Sequence, residues 1–336
     1  AFRRIIVKYK LTKFIKKKDF VRLISIAIFL LGIILVVWIG SFYMPFVKQP
    51  VKIGSTYMTL NNNFYKTINE EVKKQVSQNG DILYTRDPGL SVSKQCQQIY
   101  DFIDKKVDVI LINPVNGESK QIQHALKIAH DKGIKIVVVD SQLSNSSFVN
   151  ANVVSDNFKA GVLDAKYMMK NSPQAKILVL RHWNALSVKE RYRGFVSEIK
   201  DNPNYQITEN LETLGQTDVA LKNVQELLKV DPDKFDIIMA MDDQSAVGAL
   251  AAMDALNLHN KIMVYGIDGS TNMKHLLLSN PNAQATVAQS PIKLGQKSIQ
   301  VCYKLVKGKK VSKDVVVPVF LLTKKNINDY DVSGWQ

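Results

Sequence analysis

The side chains best equipped for recognition stand where apolar runs stop. The stretch Val51–Tyr65, VKIGSTYMTLNNNFY, begins as an apolar strand and breaks into three asparagines, Asn62 among them. It then sets Phe64 and Tyr65 side by side at the start of an amphipathic segment. The run VDVILINP delivers Asn113, and IKIVVVDS delivers Asp140 and Ser141. Further along, His182, Trp183 and Asn184 follow Ala175–Leu180, and Asp242 and Asp243 follow Asp236–Met241. Asp268 closes Lys261–Ile267 and Gln289 closes Ala283–Ala288, while Arg191 lies early in an amphipathic segment. Amides and carboxylates exchange hydrogen bonds with hydroxyls, and an aromatic face covers apolar C–H surface. Any one of these residues has a plainer use as a helix cap or core aromatic. Several of them at one carboxyl edge of an α/β sheet favour a small-ligand site.

The same residues argue against catalysis. The chain has no GxSxG elbow, Walker loop, GxGxxG turn or metal-spaced His/Cys cluster. Asp242 and Asp243 are adjacent at a strand end and diverge, whereas glycosidase carboxylates face each other across a bond. His182 reads as a loop residue. The expectation is a binding protein, not an enzyme, with no cofactor and no metal.

The elements that must position these residues alternate strand and helix from Val51 onward. Phe64, Ile68, Val72 and Val76 recur at spacing four, one helical face over Phe64–Gln78. Strands are expected at Asp81–Thr85, Val107–Pro114, Ile134–Ser141, Ala175–Leu180, Asp236–Met241, Lys261–Ile267, Ala283–Ala288 and Val315–Val319. Helices are expected at Gln98–Lys105, Gly117–Lys132, Ala160–Lys170, Val188–Lys200 and Lys222–Val230, with Pro291 opening a final long one. Strands this apolar are covered on both faces, which implies parallel sheets.

The first fifty residues are different in kind. The net charge of +15 is concentrated in residues 1–22, which carry nine basic side chains against Asp19 alone. A nucleic-acid face would instead lie on the folded part, so no nucleic-acid partner is expected. Leu23–Tyr43 then runs 21 residues without a charge. As a helix it spans about 31 Å, the thickness of a bilayer's hydrocarbon core. The basic arm places the amino end in the cytoplasm and the remainder outside the cell membrane, with Trp38, Phe42 and Tyr43 suited to the outer interface. A cleaved signal peptide is the alternative, but the run exceeds the usual signal core and no A-x-A-like site follows. Residues 44–50 form a short tether. Cys96 and Cys302 read as small buried apolar residues, with a disulfide as the alternative.

In order and spacing, MTLNNNFY, VDVILINP, IVVVDS, VVSDN, ERYRGF, IMAMDDQSAVGAL, VYGIDGS and ATVAQSP resemble the ribose-type periplasmic sugar-binding proteins. The resemblance covers Val51–Thr323. It implies a type I binding-protein fold, two Rossmann-like α/β lobes with parallel sheets joined by three crossovers, near Ser155, Gln289–Pro291 and Val319. The amino lobe would comprise 51–154 and 290–318, the carboxyl lobe 155–289 and 319–336. It further implies that Asn62, Phe64, Tyr65, Asn113, Asp140, Arg191, Asp268 and Gln289 contact a monosaccharide. Ser141 stands where an arginine is usual, Gly215 where an aromatic is common, and Asp242-Asp243 where Asn-Asp is frequent. The loop of His182, Trp183 and Asn184 replaces a glycine-rich turn, making Trp183 a candidate second stacking surface. The tail LLTKKNINDY is similar to the ends of xylose-binding proteins, so the expected ligand is a pentose, D-xylose first.

A transmembrane anchor in place of a lipid or a free amino terminus resembles the membrane-tethered xylose-binding partners of sensor histidine kinases. The expected partner is therefore a sensor kinase ectodomain of a two-component system, with an ABC permease as the alternative.

Overall fold

The computed structural model describes residues 17–43, 49–259 and 261–336, and the chain divides into two units, Ala1–Gln49 and Pro50–Gln336. The basic arm through residue 16 and most of the tether lie outside the described residues. In the first unit, helix α1 runs Lys17–Tyr43. It starts six residues before the charge-free run, since nothing in KKDFVR opposes a helix. Its portion Phe20–Ser41 is long and apolar enough to cross a membrane, and its apolar side chains from Phe20 to Ile39 are exposed.

The second unit builds two six-stranded sheets. Its strands are β1 Lys52–Thr56, β2 Ile82–Arg86, β3 Val109–Ile112, β4 Lys135–Val139, β5 Ala151–Ser155, β6 Ala175–Arg181, β7 Tyr205–Glu212, β8 Ile237–Ala240, β9 Met263–Asp268, β10 Ala283–Ala288, β11 Asp314–Val317 and β12 Phe320–Thr323. The first sheet has the order β11-β5-β4-β3-β1-β2 and the second β12-β10-β9-β8-β6-β7. All neighbours pair in parallel except β10 and β12. Strands β3, β4 and β8 are buried along nearly their whole length, as runs such as VILI and KIVVV require when helices cover both faces. The segment expected as one strand, Val315–Val319, instead divides. Its first part pairs with β5, Pro318 interrupts, and the continuation joins the other sheet as β12.

The helices of this unit, among the described residues, are α2 Asn63–Gln78, α3 Val92–Asp104, α4 Lys120–Asp131, α5 Asn157–Asn171, α6 Leu186–Ile199, α7 Thr217–Val230, α8 Asp243–Ala255, α9 Thr271–Ser279 and α10 Pro291–Val306. Helix α2 buries Phe64, Ile68, Val72 and Val76, the face read from their spacing, and Asn62 caps it by accepting from the Phe64 N–H. Ser119 caps α4, which therefore starts later than Gly117. Cys96 and Cys302 are unpaired, Cys302 fully buried in α10.

Candidate functional site

The carboxyl ends of both sheets face one cleft. About 440 Å³ of space between atoms lies within it, open solvent at its mouth included. One lobe contributes Met58, Thr59, Asn62, Phe64, Tyr65, Leu90 and Asp140 to its walls. The other contributes His182, Ala185, Ser187, Val188, Arg191, Leu214, Gly215, Gln216, Asp242 and Asp268. Seven of the residues picked out in the sequence thus line one space: Asn62, Phe64, Tyr65, Asp140, Arg191, Asp242 and Asp268.

Arg191 sits near its centre of charge. Only 3% exposed, it donates from Nε to Asn157 Oδ1 at 2.9 Å and from Nη1 to the Met241 carbonyl at 2.7 Å, with Asp268 Oδ1 3.4 Å from Nη1. Asp268 in turn accepts from Gln289 Nε2 at 2.6 Å. Opposite, Asp140 Oδ2 accepts from the Tyr65 hydroxyl at 3.4 Å and from Asn113 Nδ2 at 3.3 Å. Its other oxygen, Oδ1, is buried without a partner, a free acceptor beside the cleft. Asp140 holds a left-handed backbone, φ 65°, a strained setting for a non-glycine residue and one found where function demands it. Leu90 and Leu214, from opposite lobes, line the cleft with φ of 63° and 55°.

Burial sets the electrostatics. It pushes the Asp140 carboxyl up to about 6, against the pull of Arg191 and the hydrogen bonds from Tyr65 and Asn113. Burial also raises Asp268 well above the usual carboxylate range; Arg191 opposes this, while Asp243, Asp242 and Asp140 add to it. Among the cleft-lining residues three aspartates, Asp140, Asp242 and Asp268, stand with one arginine, Arg191. Such a set of oxygens suits a ligand that donates hydroxyl hydrogens. Hydroxyls donating to Asp140 favour its ionised form, so bound ligand must lower that carboxyl's pKa. Affinity for a hydroxyl donor is then expected to level off above about pH 6 and to fall below it by up to about tenfold per pH unit. Titration calorimetry with D-ribose and D-xylose between about pH 7.5 and about pH 5 reads this directly. A level profile would mean that the ligand does not touch Asp140.

Five of the residues expected at the ligand do not line this space. Asn113 is wholly buried behind Asp140, where its Oδ1 accepts from the Met58 N–H at 3.0 Å and its Nδ2 donates to the Val139 carbonyl and to Asp140. Gln289 is likewise buried and orients Asp268. Ser141 accepts from the Ser187 N–H at 3.3 Å, a bond between lobes. Asn184 Oδ1 accepts from Asn116 Nδ2 at 3.2 Å, and its carbonyl accepts from the Gly117 N–H at 3.0 Å. Trp183 does not offer a stacking surface to the cleft. It is 38% exposed, lies under the Arg181 guanidinium at 3.6 Å and meets the Tyr192 ring edge-on at 5.7 Å. Its neighbour His182 lies in the loop after β6, as read from the sequence, but turns inward and is 4% exposed. Successive side chains leaving a strand alternate in direction, and composition does not reveal which one faces in.

Lobe-to-lobe contacts surround this space. Besides Ser141–Ser187 and Asn116–Asn184, Asn61 Nδ2 donates to Gln216 Oε1 at 3.4 Å and Lys189 pairs with Glu118 at 2.8 Å. Trp335 near the carboxyl terminus lays an edge on Phe64 at 5.6 Å, so the tail backs an aromatic of the cleft wall.

Compared with known proteins, residues 53–310 match the family described as periplasmic binding protein domain. The chain belongs to the periplasmic binding protein family. It is 30% identical over 281 residues to the ribose import binding protein of Bacillus subtilis, covering 83% of this chain and 89% of that one. Against the D-xylose-binding periplasmic protein of Escherichia coli the identity is 24% over 300 residues, covering 84% and 88%. A solved ABC transporter solute binding protein from Mycobacterium smegmatis, with bound glycerol, superposes with a TM-score of 0.79 at 26% identity, covering 85% of this chain and 98% of that one. The two-lobed α/β architecture of this binding protein is thus the family's, and its relatives are binding proteins rather than enzymes.

Proposed function

We propose that this chain binds a neutral monosaccharide, a pentose with D-xylose first, in the cleft between its lobes and reports occupancy to the extracytoplasmic part of a sensor histidine kinase. The observation that carries the sugar reading is the combination in one cleft of free acceptors, the Arg191 fork and an apolar wall of Met58, Leu90, Val188 and Leu214. A polyhydroxyl ring has donors for the first, oxygens for the second and C–H faces for the third. Asn62, Phe64 and Tyr65 serve as the aromatic and amide wall, Asp140, Arg191, Asp242 and Asp268 as direct polar contacts, and Asn113 and Gln289 as their supports. The lobes, 51–154 with 290–318 and 155–289 with 319–336, close about hinges near Ser155, Gln289–Pro291 and Val319.

The membrane reading rests on Phe20–Ser41 and on the basic residues before it, which put the amino end inside and the binding domain outside. An anchored chain raises the effective concentration of any membrane partner, and a partner that binds only the closed form couples sugar and partner affinities reciprocally. A second reading is favoured by the relatives, several of which are import binding proteins: the chain would then serve an ABC permease. Two measurements separate these. Thermal-shift screening of the full-length chain against pentoses and hexoses is expected to show stabilisation of about 2.7 kcal/mol at roughly 100 times the dissociation constant. Co-purification from membranes with and without that sugar is expected to recover a kinase in a sugar-dependent manner. Recovery of permease subunits alone rules out the sensor reading and leaves the transport one.

A further inference from the structure

His182 occupies the cleft wall with one nitrogen committed and one free. Its ring is 4% exposed, Nδ1 lies 3.4 Å from Glu212 Oε1, and Nε2 is buried without a partner. Glu212 ends β7, beside Arg181 at the end of β6, so its carboxylate reaches across to the loop that carries His182. That carboxylate already accepts from the backbone N–H groups of Trp183 at 3.0 Å, Thr213 at 3.1 Å and Leu214 at 2.8 Å. Burial works to raise its pKa, but the bonds from His182, Trp183 and Leu214 prevail and hold it below the usual range. An ionised carboxylate only accepts, so Nδ1 of His182 must carry the hydrogen. In the neutral ring Nε2 is then a bare acceptor, buried without a hydrogen-bond partner in a residue of the cleft wall.

We infer that His182 is a specificity-determining residue: its Nε2 accepts a hydrogen bond from one particular hydroxyl of the bound sugar, with Glu212 as the positioning residue that fixes the tautomer. The inference rests on the monosaccharide reading and sharpens it. A chain built this way demands a hydroxyl at one ring position, because a ligand lacking it leaves a buried acceptor unpaired, and such sites discriminate strongly against the analogue that lacks the group. A leucine in place of His182 removes that demand. A glutamine retains an acceptor within the same reach.

The test uses the full-length chain in detergent micelles and titration calorimetry. Its probes are D-xylose, D-ribose, L-arabinose and D-fucose, and, for whichever binds tightest, the series of its monodeoxy analogues. Wild-type protein is expected to disfavour one analogue by about 3- to 10-fold more than His182→Leu does, with His182→Gln restoring much of the difference. The ring nitrogens of His182, followed by nitrogen-15 NMR, are expected to show the Nδ1–H tautomer. An analogue profile unchanged in His182→Leu, or an Nε2–H tautomer in wild-type protein, overturns the assignment alone. A wild-type chain that binds none of the sugars overturns the monosaccharide reading and this assignment with it.

Discussion

Replacing Arg191 with alanine is expected to weaken sugar binding by about 10- to 150-fold, since hydrogen bonds to a charged group contribute roughly 1.5–3 kcal/mol. The loss should also be felt in stability. Arg191 is buried with Asp268, their side chains 4% and 8% exposed, and removing it leaves the buried Asn157 Oδ1 and Met241 carbonyl without their donor, at a cost of about 3–5 kcal/mol. For a folded unit of this size that lowers Tm by roughly 10 °C. Asp268→Ala should weaken binding by a similar factor, because it removes both an acceptor and the anchor for Gln289. The two substitutions share one network, so the double variant is expected to lose less than the sum of the singles. Asp268→Asn separates binding from folding, since it keeps the shape while dropping the charge. Calorimetry returning near-wild-type affinity for both Arg191→Ala and Asp268→Ala would refute the placement of the ligand in this cleft.

The lobes are legible where burial leaves a chain no choice. Runs such as VILI and KIVVV read as covered parallel strands because only a two-sided sheet tolerates them, and β3 and β4 are that. Strand β7 is not legible in this way: YQITENLE lies at a sheet edge with every second residue exposed, and its polar half resembles a loop. Helix α8 is hidden for the opposite reason, because its alanines and glycine bury most of its surface and leave little amphipathic contrast. Residue types at strand ends locate the cleft but do not say which member of each set reaches it. Asn113 and Gln289 orient the carboxylates of Asp140 and Asp268 from behind. A sequence shows a polar residue at an edge; only packing shows whether that residue stands in front or behind. The inward turn of His182, and the left-handed backbone that brings Leu90 and Leu214 to the cleft, have no signature in residue type.

The segment ERYRGF shows how far packing alone decides where a charge stands. Helices α5 and α6 cross with backbone against backbone at two glycines. A Cβ at Gly161 would overlap the Arg191 carbonyl oxygen and lie 2.6 Å from the Phe195 nitrogen. A Cβ at Gly194 would overlap the Phe158 carbonyl oxygen and lie 2.9 Å from its carbon. The atoms in the way belong to main chain, which cannot rotate aside as a side-chain end can, so the helices must part. The residue whose carbonyl Gly161 touches is Arg191 itself, and the opposite face of that residue sends the guanidinium into the cleft. Gly161→Ala is therefore expected to lower stability by about 3 kcal/mol, the upper end of overpacking costs. It should also weaken sugar binding by about tenfold or more, equivalent to about 1.4 kcal/mol, by shifting Arg191 off Asp268 and Met241. Gly194→Ala should do the same from the other helix, with the two effects coupled because one crossing is spread by both. Thermal unfolding and calorimetry on the folded fraction measure the two consequences separately. Wild-type Tm together with wild-type affinity in Gly161→Ala would show that the helices do not need this contact, and that Arg191 is held in place by its hydrogen bonds alone.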